Sequence, residues 1–131
     1  MNTKMEKIFA EISAGELIDK ITILEIKKAK IDSEKKLEDV NKELISLHET
    51  FKKFIPDKSS VKNHMEELKN VNSKLWDIED EKRELEKKKE FSEKFITLAR
   101  NVYKFNDQRA KIKLEINRIL GSNIKEVKSY K

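Results

Sequence analysis

Apolar residues recur at helical spacing along most of the chain. Leu17, Ile21, Leu24 and Ile31 hold one stripe, and Leu37, Val40, Leu44, Leu47, Phe51 and Phe54 follow in alternating steps of three and four, the seam of a coiled coil. After a turn at "IPDKSS", Val61, Met65, Leu68, Val71, Leu75, Ile78 and Leu85 repeat that spacing, so the second and third helices are expected to form an antiparallel hairpin. The phase slips between Ile31 and Leu37. Either one long helix carries a stutter there, or a break is capped by Asp32 or Ser33.

Cap signals mark the other boundaries. In "ISAGEL", Ser13 and Glu16 form a capping box, with Ile12 and Leu17 spaced as a hydrophobic staple. Ser59 or Ser60 can cap the third helix. In "KKKEFSEKF" the lysines close one helix, Ser92 can cap the next, and Phe91 with Ile96 repeats the staple. The last helix runs to Leu120, where Gly121 supplies a left-handed residue. Ile124, Val127 and Tyr130 are spaced to pin an extended tail. The expected fold is all-α: an elongated antiparallel helical hairpin or bundle of three to four long helices with coiled-coil-like seams. It is one domain over residues 1–131, with an N-terminal segment 1–12, a long or broken helical stretch 13–54, helices 60–90 and 92–120, and a tail 121–131.

Composition agrees with this pattern and narrows the chemistry. Of the 131 residues 42% are charged and 37% hydrophobic, with 2 Gly and 1 Pro, which disfavours β-rich folds and glycine-loop nucleotide sites. No cysteine is present, so disulfides and thiolate metal sites are excluded. No secretory h-region and no apolar run near 18 residues occurs, and a cytoplasmic protein is expected. The net charge of +5 arises from 30 basic and 25 acidic residues, and with acids interleaved among the lysines nucleic-acid binding is not demanded. So thin a core in so elongated a chain favours a homodimer or a partner protein bound through a helical seam.

The last helix breaks the binary pattern. Asn106, Arg109, Lys113 and Asn117 fall within roughly 80° of one another, on the sector that also carries Val102, Leu114, Ile116 and Leu120. Arg100, Lys104, Asp107, Lys111, Glu115 and Arg118 occupy the outward arc. An inward cation must be paired, and the candidate acids are Glu25 on the first helix and Glu79 and Glu86 on the third, with Lys28 and Arg83 beside them. The ligand-binding candidates are therefore Glu25, Lys28, Glu79, Arg83, Asn106, Arg109, Lys113 and Asn117. The alternative is a structural ion-pair and amide network that fixes helix register, or a wet dimer seam. Counting Glu25, Glu79 and Glu86 against Lys28, Arg83, Arg109 and Lys113, cations are in excess, which favours a small anionic ligand.

Other residues carry weaker signals. His48 lies on the seam of the second helix as a core or interface histidine, His64 is expected near a loop and exposed, and Trp76 is expected as a core anchor. The two histidines lack an acidic cluster at metal spacing, so no metal and no cofactor is expected.

The blocks "EISAGELIDKITILEIKKAKI", "LWDIEDEKRELE", "FITLARNVYKFNDQRAKIKLEIN" and "GSNIKEVKSY", in this order, resemble a family of small bacterial and phage proteins of unknown function. Its members are often encoded near genes for lipopolysaccharide or other surface-glycan synthesis. The resemblance spans about residues 12 to 131. It implies a setting and no reaction, and it makes Glu16, Asp19, Lys20, Glu25, Trp76, Glu79, Arg83, Arg100, Tyr103, Asn106, Arg109, Lys113, Asn117, Ser129 and Tyr130, which lie in those blocks, the natural candidates for any shared site.

The expected function is a non-catalytic helical module binding a partner protein or a small anionic metabolite in surface-glycan biosynthesis. Two other classes compete. An enzyme resembling the all-helical chorismate mutases would use Arg83, Arg109, Lys113 and Glu79 in the bundle core, although the first helix offers only Lys28 where those enzymes use an arginine. Helical nucleotide pyrophosphatases need inward E-x-x-E pairs, and Lys82 follows three residues after Glu79. A weak nucleic-acid binder would need a continuous basic face.

Overall fold

The computed structural model describes residues 5–127. Four α-helices account for most of it: α1 (Ala14–Lys30), α2 (Glu34–Phe54), α3 (Lys62–Lys87) and α4 (Glu93–Leu120). Among the described residues no strand occurs and no helix is long and apolar enough to cross a membrane.

Each boundary has a local cause. Ser13 is extended and its Oγ accepts the Glu16 N–H at 3.0 Å, while the carboxylate of Glu16 turns to Lys113. Ile12 stays 40% exposed, while Leu17 is buried. The slip after Ile31 is a true break, because Ser33 caps α2 by accepting the Lys36 N–H. Ser59 and Ser60 do not cap α3. Both hydroxyls donate to Asp57, to Oδ1 at 2.7 Å and to its carbonyl at 3.0 Å, and a 3-10 turn over Ser59–Val61 leads into the helix. The Ser59 hydroxyl also holds the Asp57 carboxyl below its usual range. Phe91 meets Phe95 edge-to-face at 5.3 Å and remains exposed, as does Ile96.

Both long helices end in the same way. Gly121 is left-handed (φ 64°), with its N–H on the Arg118 carbonyl and the Ser122 N–H on the Asn117 carbonyl, a Schellman closure. At the end of α3, Lys89 adopts φ 55° and makes the equivalent bonds, Lys89 N–H to Glu86 and Glu90 N–H to Leu85.

The helix pairing corrects the expected one. α3 packs against α4 along its length, and α1 packs against α2, α3 and α4, whereas no close backbone approach joins α2 to α3. The α2 seam through Val40, Leu44 and Phe51 is used inside the chain, in a core with Leu17, Ile18, Ile21, Leu24, Ile55, Val61, Leu68 and Ile116. His48 is exposed, and His64 is partly buried with an unpartnered Nδ1. A second, smaller cluster of Ile78, Leu85 and Leu98 with Phe95, Val102 and Phe105 holds the far end of the α3–α4 hairpin. At 1.5 Å per residue α3 is about 39 Å long and α1 about 26 Å, so the hairpin outruns α1. The gap between the two clusters is where polar residues enter the interior.

Gly15 sets the distance between α1 and α4. A Cβ on it would lie 2.5 Å from the Lys113 carbonyl oxygen and 2.9 Å from Asn117 Oδ1. Alanine is the better helix former by about 1 kcal/mol, yet the clash is with backbone and cannot be relieved by a rotamer change. Gly15→Ala is expected to cost about 2 kcal/mol net, as overpacking does, and to lower the melting temperature by several degrees, measured by circular dichroism.

Candidate functional site

The α1 row Gly15, Asp19, Thr22, Ile26 advances by steps of four, three and four, so its members stack on one face. Because Gly15 admits α4 closely, the Asp19 carboxylate sits between helices with its side chain 1% exposed. A carboxylate so placed must be paired. Arg109 on α4 supplies the pair as a fork, Nε donating to Oδ1 at 2.9 Å and Nη2 to Oδ2 at 2.5 Å. Asn72 on α3 donates Nδ2 to Oδ1 at 2.9 Å and also to Thr22 Oγ1, which in turn donates to the Asp19 carbonyl. The fork raises the Arg109 pKa further, against the opposing effect of burial.

One turn along α4, Lys113 is nearly as buried. Its ammonium contacts Glu16 at 2.6 Å and Glu126 at 2.7 Å, with Asp19 at 3.9 Å. Burial pulls its pKa down, but the hydrogen bonds to Glu126 and Glu16 and the charge of Asp19 outweigh it, and the net shift is upward. Glu126 also accepts from the Ser13 hydroxyl. Asn117 Oδ1 accepts the Gly15 N–H at 2.6 Å, and its Nδ2 is buried without a partner. Ser122 Oγ takes the Ala14 N–H at 3.1 Å. The tail is thus fixed by Glu126 and Ser122. Ile124 and Val127 stay exposed (Val127 at 87%), and Tyr130 lies outside the described residues.

Two hollows flank Arg109. A groove of about 260 Å³ is lined by Ile23, Ile26, Asn72, Leu75, Trp76, Glu79, Asp80, Arg83 and Arg109. A smaller hollow of about 120 Å³ is lined by Asn106, Arg109, Ala110, Lys113 and Glu126. Trp76 is a half-buried groove wall and not a core anchor.

The stripe Asn106, Arg109, Lys113 and Asn117 does face the interior, while Leu114 is 40% exposed. Its expected acids do not meet it. Glu25 is half-buried and pairs with Lys69 at 3.4 Å, Glu79 with Lys82 at 3.5 Å, and Glu86 and Lys28 are exposed. Asp19, Glu16 and Glu126 take that place, so around Arg109 and Lys113 carboxylates outnumber cations and the expected cationic surplus is gone. Arg83 is exposed on the groove rim with Glu79, whereas Lys113 faces the other hollow. The chorismate-mutase-like set of Arg83, Arg109, Lys113 and Glu79 therefore does not converge on one cavity. The resemblance names Asp19, but helical periodicity does not select it as the partner of the stripe, because a single aspartate between Ile18 and Lys20 reads as surface. The signal that finds it is the small and polar row Gly15, Asp19, Thr22. Among the described residues no group of three or more metal-ligating side chains is placed to hold a metal ion.

Residues 8–131 match the family of unknown function DUF6165, and the chain belongs to that family. No curated protein and no solved structure matches the chain significantly.

Two measurements test the network. Arg109→Ala leaves the Asp19 carboxylate buried and half-paired and is expected to cost about 3 to 5 kcal/mol, read by urea unfolding; an unchanged midpoint would mean that the arginine is held in reserve for a ligand. Lys113 carries a raised pKa, so its stabilising contribution is complete below the ordinary lysine value of 10.5 and is lost as pH rises through the higher folded value. The stability difference between wild type and Lys113→Met should therefore be constant near neutrality and shrink above about pH 10.5. Melting curves from pH 8 to 12 check this.

Proposed function

We propose that this member of the family is a non-catalytic helical module that binds a partner protein, with the groove between α1, α3 and α4 as its docking site. One observation carries the reading. The groove has an apolar floor of Ile23, Ile26 and Leu75 with the indole of Trp76, and a rim of both charge signs in Glu79, Asp80, Arg83 and Arg109. An aromatic anchor in an apolar centre ringed by charges is the make-up of a protein interface. A free anion is served less well, because Glu79 and Asp80 oppose the two arginines and Arg109 is already forked on Asp19. The setting we assign to the partner, surface-glycan synthesis, rests on the resemblance alone.

A second reading has one observation in its favour. The Nη1 edge of Arg109 makes only a 3.4 Å contact with Asn106 Oδ1, so part of the guanidinium is open to a small anionic metabolite.

Trp76 is the chain's one tryptophan and reports on the groove directly. A photo-crosslinking residue at Asp80 should capture the partner in the source cell. Titration of the purified partner should shift Trp76 emission and reduce acrylamide quenching, and Trp76→Ala should weaken binding by about 30-fold, as loss of a 2 kcal/mol anchor does. Equal affinity for wild type and Trp76→Ala would sink the groove as the docking site. Nucleotide sugars, sugar phosphates and small dicarboxylates form the second arm. A thermal shift with one of these that Asn106→Ala abolishes would replace the partner reading with the metabolite one.

A further inference from the structure

The described part of the chain after α4 is held by polar contacts, not by its apolar residues. Val127 is 87% exposed, and the ties are Ser122 to Ala14, Asn123 to Glu11 at 2.7 Å, and Glu126 to Ser13 and Lys113. The groups that receive Glu126 are far more buried than the segment they receive, Ser13 being 1% and Lys113 9% exposed, and Asn117 beside them at the start of α1 is 2% exposed. Each of the three also has a partner other than Glu126. Ser13 is fixed by the Glu16 N–H, Lys113 by the Glu16 carboxylate, and Asn117 by the Gly15 N–H. They surround the N-terminal end of a 17-residue helix, the positive end of its dipole.

We propose that Ser13, Lys113 and Asn117 form a carboxylate-binding site at the start of α1, that Glu126 is its internal occupant, and that a small free carboxylate competes with Glu126 for it. The site is separate from the groove, and the inference does not rest on the partner reading.

Two observations besides the helix end point to a ligand. Asn117 Oδ1 is committed to the Gly15 N–H, which fixes the orientation of the amide and leaves Nδ2 as a buried donor without an acceptor. A buried unpaired donor is costly, and a ligand oxygen satisfies it. The hollow of about 120 Å³ beside Lys113 and Glu126 holds about four water volumes, enough for a few heavy atoms behind a carboxylate. Charge selects the class. With Glu126 withdrawn, Lys113 and Arg109 balance Glu16 and Asp19, so one negative charge restores the present state and a phosphate dianion exceeds it. Because Glu126 is tethered, its effective concentration is on the order of millimolar, and a free carboxylate must reach that range to displace it from the wild-type chain.

The test uses the isotope-labelled full chain, titrated with acetate and with inorganic phosphate at constant ionic strength against chloride. In Glu126→Ala, and in Glu126→Gln as the less disruptive variant, acetate should give saturable shifts of the Gly15 and Glu16 amides with a Kd at least tenfold lower than in wild type. In wild type, high acetate should move the Val127 amide toward its unstructured position as the segment is released. Absence of saturable acetate shifts in both variants overturns the site, and equal acetate affinity in wild type and variants overturns Glu126 as its occupant. Phosphate binding in place of acetate overturns the carboxylate assignment. Should neither variant fold, the wild-type arm decides, and a Val127 amide that acetate leaves unmoved overturns the proposal.

Discussion

A carboxylate with 1% of its side chain exposed is the constraint around which this bundle is arranged. Asp19 has lost its water, and two other helices contribute the donors that replace it, Arg109 from α4 and Asn72 from α3, while the Thr22 hydroxyl of α1 accepts from Asn72 and donates to the Asp19 carbonyl. Apolar contacts tolerate sliding by a residue or a turn, since a seam of leucines and isoleucines matches itself at many registers. The guanidinium fork does not, because displacement of α4 by one turn would strand both charges. The network therefore specifies the mutual register of α1, α3 and α4. It also divides the interior, with the larger core on the side of Ile116 and Leu68 and the smaller cluster on the side of Val102 and Ile78.

The same constraint places the groove. α1 ends at Lys30, opposite Asp77, so the α3–α4 hairpin beyond that level loses its third partner. Leu75, Trp76 and Glu79 follow Asn72 along α3 where α1 is ending, and Ile23 and Ile26 on α1 form the facing edge. At the opposite end, Gly15 lets α1 and α4 touch, and the N-terminal amides of α1 are distributed among Ser13, Asn117 and Ser122. The segments before α1 and after α4 meet there. Met5, Ile8 and Phe9 remain largely exposed beside them.

The helix inventory, the cap at Ser13, the left-handed Gly121 and the inward direction of the stripe were legible in the residues, because each depends on local spacing. The helix pairing was not. The α2 seam fits α1 and α3 equally well as a pattern, and the three-residue break at Ile31–Ser33, which folds α2 back on α1, decides between them. The acids of the network were misassigned for a related reason. Glu25, Glu79 and Glu86 have the reach and helical phase to meet the stripe, but phase does not give height along the bundle, and only Asp19 and Glu16 lie level with Arg109 and Lys113. Glu126 was out of reach of periodicity altogether, since its position comes from a non-helical segment closing over the start of α1.

Why such a network should exist is a question of cost. Replacing a buried ion pair by apolar residues of similar volume is often neutral or stabilising, so stability alone does not account for Asp19 and Arg109. Register does account for them, and so does a second consequence of the geometry. Arg109 lines both hollows, and Asp19 Oδ2 is approached by Arg109 Nη2 at 2.5 Å and Lys113 Nζ at 3.9 Å. A charge arriving at either hollow acts on the same carboxylate, from which the groove and the start of α1 are both hung. The interaction that holds the three helices in place is thus shared by the walls of both hollows.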